Sequence, residues 1–177
     1  SEPLYTNDRL PIVYGDLTDG SLGNWVLPCI DVDAAGGKPV YCFAAHEVLS
    51  VANGNTITIY ENDLELNSAL YTFDEANDYE GLGTIATITF TSPKTGSIIT
   101  ARGKGKPTAS GGATLMENII DIIYDFLTVH NSLTSANFNS TSKAKAQATF
   151  TAQSYKAAGV IGEDIGFWEL IQRMMGS

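Results

Sequence analysis

The hydrophobic period of this chain changes once along its length. In 56–60 (TITIY) and 84–91 (TIATITFT) apolar and polar residues alternate. Ile57 and Ile59 share one side of the first run, and in the second Ile85 is opposed in phase to Ala86, Ile88 and Phe90. A period of two marks β-strands whose two faces meet different surroundings. In 115–127 the apolar residues fall instead at Leu115, Met116, Ile119, Ile120, Ile122, Ile123, Phe126 and Leu127, the spacing of a helix with a wide buried face. Between the two regimes lies 103–113 (GKGKPTASGGA), rich in Gly, Pro and Ser and without a large apolar anchor. Strands grouped ahead of helices predict an α+β chain with mainly antiparallel pairing. We therefore expect a β-rich subdomain over 1–103, a linker over 104–113 where mobility concentrates, and a helix-rich subdomain over 114–177.

Local signals fill in this outline. Segment 11–14 predicts a short strand closed by Gly15-Asp16. Segment 24–32 is β-rich but contains Pro28, which offers no ladder hydrogen bond and belongs on an edge or at a bulge. Asp33 to Pro39 reads as a Gly-rich turn, and 40–51 (VYCFAAHEVLSV) as one long strand, with a helix as the alternative. Asn53-Gly54-Asn55 is a turn, and 74–83 (DEANDYEGLG) reads as a polar, acidic loop. Segment 97–103 is expected to pair with the strand before it, giving a hairpin across 84–103. Thr114 with Glu117 three residues on has the capping-box pattern, so the main helix is expected to open there. Glu117, Asp121 and Asp125 then form one solvated acidic stripe, a spacing that costs a few tenths of a kcal/mol per like-charged pair. A second helix near 134–152, a short strand at 155–161 and a last helix at 163–175 complete the reading.

With 44% hydrophobic and 17% charged residues, the chain can bury a real core. Its apolar runs are far shorter than the roughly 20 residues of a membrane span. No basic, then apolar, then small-residue leader opens it. It does not begin with Met, and we read it as a processed product or an excised piece. The net charge of −10 is unevenly spread. Residues 1–80 hold 14 acids against Arg9 and Lys38, whereas 81–116 hold Lys94, Arg102, Lys104 and Lys106 and no acid. Such acidity disfavours nucleic acid and anionic membrane as partners and leaves other protein surfaces. If 97–106 is extended, Arg102, Lys104 and Lys106 project from one face. They are the candidate interface residues, set against the acidic front of another copy. A solvated edge that blocks unwanted pairing is the simpler alternative.

Residue types that carry chemistry are sparse. His46 sits in an apolar run and His130 near a helix end, and each reads as a core or surface histidine rather than an acid–base group or ligand. There is no His-x-x-x-His, Cys-x-x-Cys or Gly-x-Ser-x-Gly. The Gly-Lys pairs lack phosphate-loop spacing, since Ile98 and Thr100 stand where the leading glycine would be. Two cysteines, Cys29 and Cys42, are too few for a disulfide framework, and either two thiols or one bond between neighbouring strands is open. Acid clusters occur at Asp31/Asp33 and at Asp74, Glu75, Asp78 and Glu80. Neither follows a calcium-loop pattern. Solvated loops are the simpler reading; a carboxylate pair of glycosidase type or a calcium site is the alternative. No catalytic, cofactor-binding or metal residue is assigned, and no cofactor is expected.

Several stretches together resemble a family of phage and prophage tail proteins. Arg9-Leu10-Pro11-Ile12-Val13-Tyr14-Gly15-Asp16 is similar to that family's "lPivYGd" start. Trp25…Pro28…Ile30, the Tyr41-x-x-Ala44-x-His46-x-Val48 stretch, and Ile57 to Glu61 in place of a "vyvdg" strand continue the likeness. So do Glu117 to Thr128 ("npadii-dlLt"), Thr134 to Phe138 ("id-aSFa-A"), Tyr155 to Ile161 ("Y-vagvI") and a helix at Trp168 to Met174. The chain departs from the pattern at Asn62-Asp63-Leu64, which has no glycine where "dG" is expected. The resemblance implies a non-catalytic virion structural role in the tail tip or baseplate hub. It also implies assembly with other tail proteins and with further copies of itself. The rival expectations are a cell-wall hydrolase of the tail tip that uses a carboxylate pair such as Asp31 and Glu80, and a carbohydrate- or calcium-binding β module.

Overall fold

Turn residues cut the front of the chain into short strands, and the order in which those strands pair departs from their order in sequence. The computed structural model describes residues 10–22, 25–32, 39–79, 81–92, 94 and 96–162. Strands β1 (Ile12–Tyr14), β2 (Leu27–Pro28), β3 (Ile30–Asp31), β4 (Val40–Ala44), β5 (Thr58–Glu61), β6 (Leu64–Glu65), β7 (Tyr71–Tyr79), β8 (Gly83–Phe90) and β9 (Ile99–Arg102) come first. Helices α1 (Ile119–Asp125) and α2 (Ser140–Ala152) follow, then β10 (Gly159–Ile161). One sheet has the order β2-β9-β5-β6, a second β3-β4-β8-β7, and β1 pairs β10. Every pairing is antiparallel. The α+β class with mainly antiparallel strands is thus observed, and Pro28 lies on an edge strand, where a missing N–H costs no ladder bond.

The two four-stranded sheets share one core. Leu27, Ile59, Ile99 and Ala101 from the first meet Tyr41, Phe43, Ala44, Ala86, Ile88 and Phe90 from the second, together with Val13, Leu17 and Val48. The opposed phase of Ile85 has a direct meaning: it joins Val32, Val40 and Cys42 in a separate cluster on the other face of the second sheet. Strands β4 and β8 are therefore buried on both sides, and the alternation in β8 sorts its side chains between two cores.

Several expectations are corrected. The hairpin across 84–103 does not form. Strand β8 pairs with β4 and β7, while β9 pairs with β2 and β5 in the other sheet. The chain crosses between sheets, and Glu61 holds the crossing by accepting from Lys94 Nζ (2.7 Å) and Ser97 Oγ (2.6 Å). The place beside β8 is taken by the segment expected to be an acidic loop, 74–83. Residues 74–79 belong to β7, despite poor strand propensities, because pairing with β8 and half-burial of every second residue outweigh local preference. A bulge between Asp74 and Asn77 moves β7's buried side chains from one face to the other. Before it, Tyr71 and Phe73 pack on the shared core; after it, Tyr79 packs on the second cluster and Asn77 donates to the buried Thr87 hydroxyl (3.0 Å).

The strand expected over 40–51 stops at Ala44, beyond a bulge, and the chain turns away to reach Pro11, whose carbonyl accepts from the Ala45 N–H (2.7 Å). The Asn53-Gly54-Asn55 turn is present, ending a short 3₁₀ turn with Gly54 at φ 87°. The main helix starts at Ile119, with Asn118 as its cap, and the Thr114/Glu117 box is not used. Residues 106–108 explain the delay, because the N–H of Met116 and the carbonyl of Thr114 are paired with them in extended geometry. The stretch expected to be a linker is tied down along 103–108. Gly103, Gly105 and Pro107 are buried, and Leu17, Leu49, Asn55, Val13 and Gly15 all bond to backbone groups of 103–106. A second helix and a strand near 155–161 are present, as α2 and β10. The Asp33 to Pro39 turn lies mostly, and the last helix at 163–175 wholly, outside the described residues.

Candidate functional site at the β1–α1 junction

Four ionisable side chains, Tyr14, His46, Lys106 and Asp125, gather where β1 passes between residues 103–107 and the segment leading into β10. Strand β1 reaches this place because glycines let backbone approach backbone. A Cβ on Gly105 would lie 2.3 Å from the Val13 carbonyl oxygen, and one on Gly15, whose φ is +68°, 2.1 Å from that of Ala157. The N–H of Gly105 donates to the Gly15 carbonyl (2.8 Å) and that of Lys106 to the Val13 carbonyl (3.0 Å).

This backbone frame aims four side chains at one another. The Tyr14 hydroxyl donates to Asp125 Oδ2 (2.7 Å), and Lys106 Nζ donates to Asp125 Oδ1 and Oδ2 (2.8 Å each). His46 is stacked on Tyr14 with ring centres 6.1 Å apart. Its Nε2 accepts the Val13 N–H (2.9 Å), so the proton sits on Nδ1, which donates to the Glu47 carbonyl (2.7 Å). Burial, reinforced by the hydrogen bond to Asp125, pushes the Tyr14 phenol far above its ordinary range, so it stays protonated. Burial pulls His46 down to about 4, so at neutral pH its ring is uncharged.

Chemically the arrangement is closed. Both oxygens of Asp125 are occupied, its charge is matched by Lys106, and both ring nitrogens of His46 serve the backbone. A general acid or base must face the atom whose proton it moves; these groups face one another, as in a clasp that joins β1, the 103–107 segment and α1.

Of the candidate interface residues, Lys104 lies 3.9 Å from Asp16 and Lys106 is in the clasp, so both have carboxylate neighbours inside the chain. Arg102 stays on the outward face of the first sheet, its guanidinium 5.8 Å from the centre of the Tyr60 ring. The three acids expected to form a solvated stripe are ion-paired: Lys156 meets Glu117, just ahead of α1 (3.1 Å), Lys143 lies 3.9 Å from Asp121, and Lys106 meets Asp125. Gln147 also donates to Asp121. The two acid clusters fall on opposite edges of the second sheet, Asp31 on β3 and Asp74, Glu75 and Asp78 on β7. Three strand spacings separate those edges, roughly 14 Å. Asp33 and Glu80 lie outside the described residues. Among the described residues no group of three His, Cys, Asp or Glu side chains could hold a metal ion, and no helix is long and apolar enough to cross a membrane. Cys29 and Cys42 are free thiols; burial pushes Cys42 up to about 12 and Cys29 up as well, so neither is a thiolate at neutral pH. His130 is exposed, packed near Phe126.

Tyr14 and Asp125 were not singled out as a pair by sequence reasoning. The available signal was the acidic stripe itself, since three like charges at helical spacing ask for cations from elsewhere. No protein-family model, no curated protein and no solved structure matches this chain.

Proposed function

We propose that the chain is a structural component of a phage or prophage tail, of the tail-tip or baseplate-hub kind. It works by protein–protein contact, with copies of itself and with other tail proteins in the virion, and carries out no chemical step. The resemblance of its opening and its second half to such proteins supports this reading. So does the junction, where the gathered ionisable groups are spent on one another.

The observation that carries the assembly reading is the outward face of the first sheet. Pro28, Thr100, Tyr60 and Glu65 stand in one cross-strand row, and Arg102 packs over Tyr60. Val26 (47% exposed) and Ile98 (66%) flank that row with apolar surface in water. Tyr and Arg amid exposed aliphatics form the composition of interface centres. A second copy is the occupant that the face fits. Arg102 lies on one side of Tyr60 and Glu65 on the other, so a two-fold axis at Tyr60 sets each copy's Arg102 opposite the other's Glu65. Light scattering across a concentration series, at low and high salt, tests this. A dimer or larger species that weakens in high salt and on Ile98→Asp is expected. A monomer at every concentration, or association indifferent to Ile98→Asp, overturns it.

A further inference from the structure

One group at the junction has its protonation state dictated by backbone on both sides. His46 accepts the Val13 N–H at Nε2 and donates from Nδ1 to the Glu47 carbonyl. Of the three states of an imidazole, only the neutral form with its proton on Nδ1 satisfies both bonds. An imidazolium would set an N–H against the N–H of Val13, two donors 2.9 Å apart at a residue only 8% exposed. Val13 is the middle residue of β1, opposite Val160 of β10, and its own carbonyl holds Lys106.

We propose that His46 is a proton-operated latch: at neutral pH it fastens β1, and in acid it lets the β1–β10 pair come away from the junction while the two-sheet core stays folded. The groups around the ring are Tyr14 from β1, Lys106 from the 103–107 segment, Asp125 from α1, His130 beyond that helix, and the neighbouring Glu47 carbonyl. Burial disfavours the cation most, and Lys106 and His130 act in the same direction; the Glu47 carbonyl and Asp125 oppose them. The closed form therefore takes up a proton at about pH 4, against 6.5 for an ordinary histidine in the opened form. The opened form binds protons more readily, so the latch is at full strength above pH 6.5, weakens as pH falls, and has lost its advantage below about 4. Over that window the opening equilibrium rises by up to ~300-fold. The main core keeps its sheet-to-sheet apolar contacts throughout, losing Val13 and the Ala158 and Val160 side chains packed against it.

Amide hydrogen exchange on the full chain between pH 7 and 4, corrected for intrinsic rates, reads the opening directly. Protection at Val13 is expected to fall by up to ~300-fold, while Ile59 and Ile88 in the sheets hold theirs. His46→Gln keeps one acceptor and one donor but does not titrate, and should flatten the Val13 profile. Independently of how that variant folds, ring nitrogen shifts of His46 in the unaltered chain should report the neutral Nδ1–H form at pH 7. Val13 protection that stays flat, that falls in step with Ile88, or that keeps its pH slope in His46→Gln overturns the latch. So does a ring found charged, or protonated at Nε2, at pH 7.

Discussion

The two-sheet core and the β1–α1 junction are adjacent, share Val13, and are held by different physics. The core is built from apolar side chains contributed by six strands and the loops beside them, with Phe43, Ile59, Ile88 and Ala101 wholly out of water. Its stabilisation scales with area removed from water and has no preferred direction. The junction has a smaller apolar share, Tyr14, Met116 and Ile122, and its geometry is set by donors and acceptors: two glycine contacts, one carboxylate, one ammonium, one phenol and one imidazole. The described part of the chain uses its buried and half-buried polar groups to fix where elements meet, and its apolar groups to make the meeting favourable. Removing volume should damage the first region most, and removing a single atom or charge the second.

The largest effect is expected from Phe43→Ala. Phe43 is fully buried and meets the Phe73 ring edge-on at 6.0 Å, so truncation should cost about 4 kcal/mol. Denaturant midpoints check this, and the loss should be the same at low and high salt. Next comes Gly105→Ala. The added methyl meets the Val13 carbonyl oxygen at 2.3 Å, a backbone atom that cannot swing aside. A cost of about 3 kcal/mol is expected, and an unchanged midpoint would show that β1 does not pass as closely as described. Asp125→Asn comes third. It leaves Lys106 without its counter-charge at a site where both side chains are less than a quarter exposed, for about 2 kcal/mol after allowance for solvent. That loss should move with salt, which sets it apart from Phe43→Ala. The smallest is Lys156→Ala. Lys156 is over half exposed, its partner Glu117 lies just ahead of α1, and less than about 0.5 kcal/mol is expected.

How far the sequence foretells this division depends on how local each signal is. The alternation of Ile85 against Ala86, Ile88 and Phe90 announces a strand with one buried face; that the Ile85 side is buried too, in a second cluster, only the structure shows. The helices and β10 are likewise announced by local pattern. Strand β7 is hidden, because Asp74, Glu75, Asn77 and Asp78 are poor strand formers and only pairing to β8 makes them one. The hairpin expected over 84–103 fails for a related reason: proximity in sequence suggests pairing, but β7 and β4 occupy both sides of β8. The Gly/Pro/Ser stretch at 103–113 reads as a linker because its glycines carry no apolar signal, yet Gly105 is small so that β1 can lie against it. The clasp is the least legible part. Tyr14, His46, Lys106 and Asp125 are separated by up to 111 positions, and nothing in the local pattern of any one of them names the others.

Tyr14 and Lys106 act as one unit through Asp125. A double-mutant cycle on denaturant stability with Tyr14→Phe and Lys106→Met measures it. Because both side chains donate to the same carboxylate, a coupling energy of about 0.5–3 kcal/mol is predicted. Simple additivity of the two single losses would contradict it.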